Sequence, residues 1–182
     1  MKVLVTGGAG FIGRHTVKRL LEQGDQVVVV DTRLSGNLGK KDDLLTYYPT
    51  DIVSDDLELI FAEERPDAVI HLAAQTSVQR SLHHPTADAE TNILGTVQLL
   101  EQCVRYGVQR IVFASSAAVY GNPDHLPIKE SQRTEPLSFY GVSKRVSEMY
   151  IQSFHERYGL DYSILRYANV YGVRERRTGE DG

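Results

Sequence analysis

Cysteine, tryptophan and long apolar runs are scarce or missing in this sequence. Only Cys103 is a cysteine, so no disulfide can form within the chain, which fits a reducing compartment. No apolar stretch reaches the roughly 20 residues of a membrane-spanning helix. The N-terminal sequence also lacks the basic start and long apolar segment of a signal peptide. We therefore expect a cytoplasmic protein.

The sequence also lacks a strong charge of either sign and any metal-ligand pattern. Its formal net charge of −4 gives no reason to expect nucleic acid or an anionic membrane as a partner. Histidine, cysteine and acidic residues do not show the spacing of a zinc site, so no metal is expected. Cys103 lies at helical spacing from Leu99 and Leu100, which favours a buried structural thiol over a nucleophile.

Strand-like and helix-like segments alternate along the whole chain. The predicted strands are Lys2–Thr6, Gln26–Val30, Tyr47–Ile52, Ala68–Leu72, Arg110–Ala114 and Tyr162–Arg166, and the predicted helices are Gly13–Gln23, Asp55–Glu64, Ala87–Tyr106 and Ser138–Tyr158. This order with short connections predicts an α/β fold, a doubly wound parallel sheet with helices on both faces. We expect one domain over residues 1–182. Residues 121–136 contain three prolines and many polar residues, which predicts a long loop of the kind that is usually functional or mobile.

A glycine-rich turn joins the first strand to the first helix. In TGGAGFIG, which runs from Thr6 to Gly13, glycine permits a tight turn and lets a pyrophosphate approach the backbone. The helix N-terminus adds free N–H groups and positive potential for the anion. A glycine-rich turn without a ligand is the alternative, but its placement between strand and helix favours dinucleotide binding.

Asp31 follows the second strand, where an acidic residue would hold the hydroxyls of an adenosine ribose. A carboxylate there repels a 2′-phosphate, so NAD is favoured over NADP. Arg33 can accept such a phosphate and weakens the exclusion of NADP somewhat, but we give Asp31 more weight.

Three polar residues indicate acid–base chemistry. Tyr140 and Lys144 are four residues apart in a predicted helix, so they share a face, and a neighbouring ammonium would lower the pKa of the phenol. A phenol tuned in this way can remove and return a proton during hydride transfer. Ser116, at the end of a predicted strand, can bridge the substrate oxygen and the phenol. The Tyr–Lys spacing alone occurs by chance in many helices, whereas the meeting of all three groups at one sheet edge is much less frequent by chance.

A set of motifs in the same order resembles one family. They are GGAGFIG, Asp31, Asp51-Ile52, the HLAA segment from His71, Asn92, the SSAAVYG segment from Ser115, the YGVSK segment from Tyr140 and the LRYANVYG segment from Leu165. Across essentially the whole chain the sequence resembles the extended short-chain dehydrogenases, specifically the NAD-dependent nucleotide-sugar epimerase/dehydratase group. The resemblance implies a Rossmann-like domain with NAD as cofactor.

The resemblance also implies roles for individual residues. It places cofactor contacts at Gly7, Gly10, Phe11, Ile12, Asp31, Thr32, Ser35, Gly36, Asp51, Ile52, Leu72, Ala73, Ala74, Gln75, Tyr140, Lys144 and Tyr167. The catalytic residues would be Ser116, Tyr140 and Lys144, and the substrate contacts would be Ser116, Tyr140 and Asn169. Thr32 and Thr76 depart from the asparagine and lysine that some members carry there, which puts one ribose contact and one phosphate contact in doubt.

The reaction implied by the resemblance is 4-epimerisation of a nucleotide sugar of the UDP-glucose and UDP-galactose type. Dehydratases and decarboxylases of the family carry an acidic residue where this chain has Ala117 and Ala118, which favours epimerisation. A dehydratase, a decarboxylase or a reductase is the alternative within the family. A non-catalytic NAD-binding sensor is the alternative of another class, and the complete catalytic trio argues against it.

The resemblance also implies a longer protein and a dimer. Family members continue well beyond 182 residues, so the chain is expected to be an N-terminal portion in which the C-terminal substrate domain is largely absent. Residues 1–182 alone are then expected to be inactive. Family members commonly pair through two long helices, which predicts a homodimer formed by Ala87–Tyr106 and Ser138–Tyr158.

Overall fold

The computed structural model describes residues 1–33, 43–123 and 125–172. Within this part of the chain, one sheet has six parallel strands in the order β3-β2-β1-β4-β5-β6. The strands are β1 Lys2–Thr6, β2 Gln26–Val30, β3 Leu45–Tyr48, β4 Ala68–His71, β5 Arg110–Ser116 and β6 Asp161–Tyr167. This order reverses between β1 and β4, which is the arrangement of dinucleotide-binding sheets. The predicted doubly wound parallel sheet is confirmed.

Helices cover both faces of the sheet. They are α1 Phe11–Glu22, α2 Asp56–Glu64, α3 Val78–His83, α4 Pro85–Ala89, α5 Gly95–Arg105 and α6 Phe139–Tyr158. Successive side chains of a strand point to opposite faces. Val27 and Val29 accordingly pack with Val17 of α1, whereas Val28 and Val30 belong to the core built with α2, α5 and α6. The predicted burial of β2 on both faces is confirmed. Cys103 is buried in the core built with α2, α5 and α6, as expected.

Two short elements differ from the sequence prediction. The strand predicted over Tyr47–Ile52 is confirmed only at Tyr47 and Tyr48, because β3 ends at Tyr48 and Pro49 follows with no N–H to continue the ladder. Helix α3 was not predicted, since six residues are too few to show a helical period. It begins at a Ser77 cap, where the serine hydroxyl accepts a hydrogen bond from the Arg80 N–H.

The helix predicted over Ala87–Tyr106 contains an irregular turn. Helix α4 begins with Pro85 at its first position, a π-helical turn follows at Glu90–Leu94, and α5 continues to Arg105. Such turns concentrate at functional sites, and this one contains Asn92. In the part of the chain that the structure describes, no helix is both long enough and apolar enough to span a membrane.

Candidate functional site

The carboxyl edge of the sheet brings most of the predicted site residues together. The glycine turn leaves β1, Leu72–Gln75 follow β4, and Ser116 ends β5. Thr6 is in register with His71, and Ser116 is in register with Tyr167 on β6. In open parallel sheets, ligands bind at this edge beside the point where the strand order reverses.

The glycine turn packs against the segment that follows β4, and against itself, at distances that leave no room for a side chain. Gly7 has a φ of +69°, and a Cβ there would lie 2.6 Å from the Ala73 nitrogen. A Cβ on Gly13 would lie 2.1 Å from the Gly7 carbonyl oxygen. Gly10 precedes α1 and, as a glycine, has no side chain that could cap this helix. The first-turn N–H groups, including those of Phe11 and Ile12, are therefore available to an anion.

Asp31 is tied to the glycine turn and to its own loop. One carboxylate oxygen accepts a hydrogen bond from the Ala9 N–H at 2.9 Å, and the other accepts one from the Arg33 N–H at 2.9 Å. Each carboxylate oxygen has a further lone pair, so the group can also accept from ribose hydroxyls. Thr32 is exposed beside it. Ser35 and Gly36, which were predicted to complete this contact, lie outside the described residues.

The adenine contact predicted for Asp51 and Ile52 stays a prediction, and the two side chains lie in different environments. Asp51 is exposed, as a ligand contact requires. Ile52 is 3% exposed, and its side chain belongs to the core beneath Gly95. A Cβ on Gly95 would lie 2.7 Å from the Ile52 Cδ1 atom, so the isoleucine side chain is committed to packing. A side-chain contact from Ile52 to adenine is therefore not supported, because the apolar side chain turns inward.

A buried series of hydrogen bonds beneath the site was not predicted from the sequence. The Thr6 hydroxyl oxygen accepts hydrogen bonds from the Leu72 and Ala73 N–H groups, both at 3.2 Å, and lies 2.7 Å from His71 Nδ1. His71 Nε2 lies 3.0 Å from the Thr96 hydroxyl, which donates to the Asn92 carbonyl at 2.6 Å. Each hydroxyl has one proton, so we assign a neutral His71 with its proton on Nε2.

Hydrogen bonds to the same region also orient Leu72–Gln75, the segment predicted to approach the nicotinamide ribose. Ala73 and Ala74 are half-buried, and so is Leu72. The Gln75 N–H donates to Asn92 Oδ1 at 2.9 Å, while the Gln75 amide donates to Asp88 Oδ1 at 2.9 Å. The Gln75 side chain is therefore held by α4, and its predicted cofactor contact stays a prediction.

The predicted catalytic residues meet at the start of α6. The Ser138 hydroxyl caps this helix by accepting a hydrogen bond from the Gly141 N–H at 3.0 Å. The Ser116 hydroxyl accepts a hydrogen bond from the Ala118 N–H at 3.1 Å and lies near enough to the Tyr140 phenol to lower its pKa. A Cβ on Gly141 would lie 2.7 Å from the Ala118 carbonyl oxygen, so glycine lets the end of β5 approach the helix. Lys144 lies one helical turn after Tyr140, as predicted.

The pKa of Tyr140 and the contacts of Lys144 differ from what the sequence predicted. Burial raises the pKa of Tyr140, the hydrogen bond from Ser116 lowers it, and the charge of Asp88 raises it, with a net increase. The Lys144 ammonium instead donates to the Ala114 carbonyl at 2.9 Å and lies 4.7 Å from the Phe113 ring centroid. Burial lowers the pKa of Lys144 to about 8. The expected lowering of the Tyr140 pKa by Lys144 is therefore wrong in this structure, because desolvation of the phenol outweighs the favourable interactions.

Two residues were predicted on the last described strand and beyond it. Tyr167 ends β6 and is half-buried. Asn169 follows the strand and is exposed. Their predicted contacts with nicotinamide and substrate stay predictions.

Glu148 and Arg166 form a second buried feature that the sequence analysis missed. Glu148 lies four residues after Lys144 and is fully buried, and its carboxylate accepts two hydrogen bonds from the Arg166 guanidinium at 2.9 and 2.8 Å. The i, i+4 spacing from Lys144 was the available signal, since it places an acidic residue on the catalytic face of the helix.

Comparison with known proteins identifies the family. Residues 3–182 match the model of the NAD dependent epimerase/dehydratase family. The chain belongs to this family. It is 45% identical over 183 residues to the UDP-glucose 4-epimerase of Halalkalibacterium halodurans, covering all of this chain and 54% of that protein.

Solved structures of relatives have the same fold. The UDP-glucose 4-epimerase of Thermotoga maritima, determined with UDP-glucose, superposes with a TM-score of 0.90 at 45% identity over 100% of this chain and 60% of that one. The UDP-glucose 4-epimerase of Thermus thermophilus, in complex with NAD, gives 0.89 at 42% identity over 99% and 59%. The chain thus spans little more than half of the relatives it matches.

Proposed function

We propose that this chain is the NAD-binding part of a nucleotide-sugar 4-epimerase that interconverts UDP-glucose and UDP-galactose. The observation that carries the proposal is the meeting of Ser116, at the carboxyl end of β5, with Tyr140 and Lys144 at the start of α6, where Gly141 lets the helix approach the Ala118 carbonyl. The similarity to enzymes named UDP-glucose 4-epimerase supports the same reaction.

The glycine turn and Asp31 fit NAD. A Cβ on Gly7 or Gly13 would collide with backbone, so these glycines keep the turn flat where a diphosphate would approach. The uncapped N-terminus of α1 would hold the diphosphate. Asp31 would accept hydrogen bonds from the adenosine ribose and would repel a 2′-phosphate. Residues 1–182 would then be one NAD-binding domain.

When bound, NAD would supply the chemistry of taking a hydride from the sugar C4 and returning it to the other face. Tyr140 would remove the proton of the C4 hydroxyl in the first direction and return it in the second. Ser116 would donate a hydrogen bond to the phenol oxygen and so stabilise the phenolate that burial disfavours. Lys144 would remain bonded to Ala114 and would donate its other protons to the nicotinamide ribose.

The segment after Ser116 favours epimerisation over dehydration. Dehydration needs a further acid or base to remove a carbon-bound proton and to protonate the departing hydroxyl. Ala117 and Ala118 occupy a 3₁₀ turn at Ala117–Tyr120, and neither side chain can transfer a proton. The Glu130 side chain is exposed in the loop of residues 121–136, while its backbone carbonyl accepts a hydrogen bond from Arg166.

A product assay tests the reaction. The whole protein is incubated with UDP-glucose and, separately, with dTDP-glucose, and the sugars are separated by chromatography. Interconversion of the glucose and galactose forms without loss of water is expected. A 4-keto-6-deoxy product would overturn the proposal in favour of a dehydratase. Since the relatives are longer than the matched region, we propose that residues 1–182 alone are inactive, and they are assayed in parallel.

We further propose a homodimer through the two long helical segments, Ala87–Tyr106 and Ser138–Tyr158. Apolar side chains on them are exposed, including Leu94 at 50%, Val142 at 41% and Met149 at 52%. Light scattering of the whole protein is expected to give the mass of a dimer, and Met149→Glu is expected to give a monomer. Leu59→Glu is the control, because Leu59 is exposed on α2, outside the two segments. A wild-type monomer would contradict the proposal.

A further inference from the structure

The Glu148 carboxylate joins the catalytic helix to the strand that ends in Ser116. One oxygen accepts a hydrogen bond from the Ser115 hydroxyl at 2.6 Å and one from Arg166 Nε at 2.9 Å. The other oxygen accepts hydrogen bonds from Arg166 Nη2 at 2.8 Å and Arg145 Nη1 at 3.0 Å. Because Glu148 is two helical turns from Tyr140, α6 carries the phenol and this anchor on one face.

Arg166 extends the cluster to the loop that follows the site. Its Nη1 group donates to the Tyr120 hydroxyl at 2.9 Å and to the Glu130 carbonyl at 3.1 Å. The guanidinium also lies 4.9 Å from the Tyr120 ring centroid. A Cβ on Gly121 would lie 2.0 Å from the Glu135 carbonyl, so the loop folds back onto its own start. The end of β5 is therefore held on one side by Glu148 of α6 and, through Arg166, by the turn and loop that follow it.

Stability alone does not account for a buried ion pair at this point. The cost of removing two charges from water commonly equals or exceeds their attraction, and apolar residues of similar volume often stabilise a core as well. The ion pair fixes the orientation of both side chains, because two parallel hydrogen bonds hold the guanidinium and the carboxylate in one plane. Here the partners include the residue directly before Ser116.

On the basis of the proposed function, we propose that Glu148 is a positioning residue that acts through Ser115 to hold the Ser116 hydroxyl at the Tyr140 phenol. Ser115 is the link, since its hydroxyl bonds to Glu148 and its backbone continues into Ser116. Arg166 holds the carboxylate in the orientation that Ser115 requires. Glu148 does not touch the reacting atoms in this scheme.

The test removes the link without leaving a charge unpaired. Ser115→Ala deletes the hydroxyl that reaches Glu148 while the carboxylate keeps its arginine partners. Ser81→Ala is the matched control, because Ser81 is equally buried and its hydroxyl bonds to the Val78 carbonyl of its own helix. Both changes are made in the whole protein with Ser116 intact and in a Ser116→Ala background.

Kinetics provide the first measurement. We expect Ser115→Ala to reduce kcat by about 5- to 10-fold, the effect of one misplaced hydrogen bond, with little change in KM. In the Ser116→Ala background the same substitution should change kcat by less than about twofold, because the two changes break one link. Ser81→Ala should stay near its parent in both backgrounds. An equal loss from Ser115→Ala in both backgrounds would mean a merely structural role and would overturn the proposal.

Titration of Tyr140 provides a measurement that does not need turnover. The phenol is followed by NMR with ¹³Cζ-labelled tyrosine in residues 1–182, and its signal is assigned with Tyr140→Phe. Since the Ser116 hydroxyl lowers the pKa of Tyr140, Ser116→Ala should raise this pKa, and Ser115→Ala should raise it as well. An unchanged titration in Ser115→Ala would refute the positioning role. The expected titration in a protein that does not epimerise would uphold this role and overturn only the proposed function.

Discussion

His71 makes the stability of this protein sensitive to acid. The imidazole is 1% exposed, and burial, assisted by the charge of Lys144, lowers its pKa from 6.5 to about 3. Its Nδ1 atom accepts the Thr6 hydroxyl proton in the assignment above, so a second ring proton would face a donor. The folded protein therefore resists protonation of His71, whereas the unfolded chain does not.

The direction of the effect follows from proton binding. Below about pH 6.5 the unfolded chain binds a proton at this residue and the folded protein does not, so the free energy of unfolding falls as the pH falls. Above that pH the contribution is fully present. At about 1.4 kcal/mol for each pH unit, His71 accounts for a loss of about 3 kcal/mol between pH 6.5 and pH 4. That is a large share of the roughly 5–15 kcal/mol that stabilises a domain.

Urea denaturation followed by circular dichroism at several pH values between 7 and 4 measures this loss. His71→Gln removes the titrating ring and keeps an acceptor and a donor, so its free energy of unfolding should fall by about 3 kcal/mol less over this range than that of the wild type. The comparison uses the fall with pH, because the substitution also lowers stability at pH 7. His84→Gln is the control, since His84 is exposed, and it should follow the wild type. An equal fall in wild type and His71→Gln would refute the reasoning.

The remaining predictions concern the cofactor and the reaction. Calorimetry should show NAD binding more tightly than NADP, with a smaller preference in Asp31→Asn; equal or tighter NADP binding by the wild type would contradict the role of Asp31. Gly13→Ala should weaken NAD binding and lower the free energy of unfolding by about 1–3 kcal/mol, because its Cβ would lie 2.1 Å from the Gly7 oxygen, and an unaltered variant would count against the close turn. Tyr140→Phe should reduce kcat by about 10²–10⁴-fold with NAD affinity nearly intact, whereas Lys144→Ala should reduce both; an active Tyr140→Phe enzyme would exclude the proposed mechanism.

Short-range sequence patterns were sufficient to predict the main strands, the glycine turn and the main helices. The valines of β2 predicted a strand buried on both faces because a continuous apolar run must be covered on each side. The glycine turn was visible because glycine is required where a backbone bends sharply or another approaches closely, as at Gly7 and Gly13. The placement of Tyr140 and Lys144 followed from helical spacing alone. Each of these features depends on neighbours within a few residues along the chain.

Tertiary structure decided what depends on residues distant in sequence. The inward turn of Ile52 requires Gly95 opposite it, and the position of the ring proton of His71 depends on two hydroxyls from different elements. The pKa of Tyr140 rises because desolvation sums over all surrounding atoms, a quantity that the spacing to Lys144 does not contain. Spacing shows which side chains can share a face, whereas burial and hydrogen-bond partners, which set their protonation and orientation, exist only once the chain has folded.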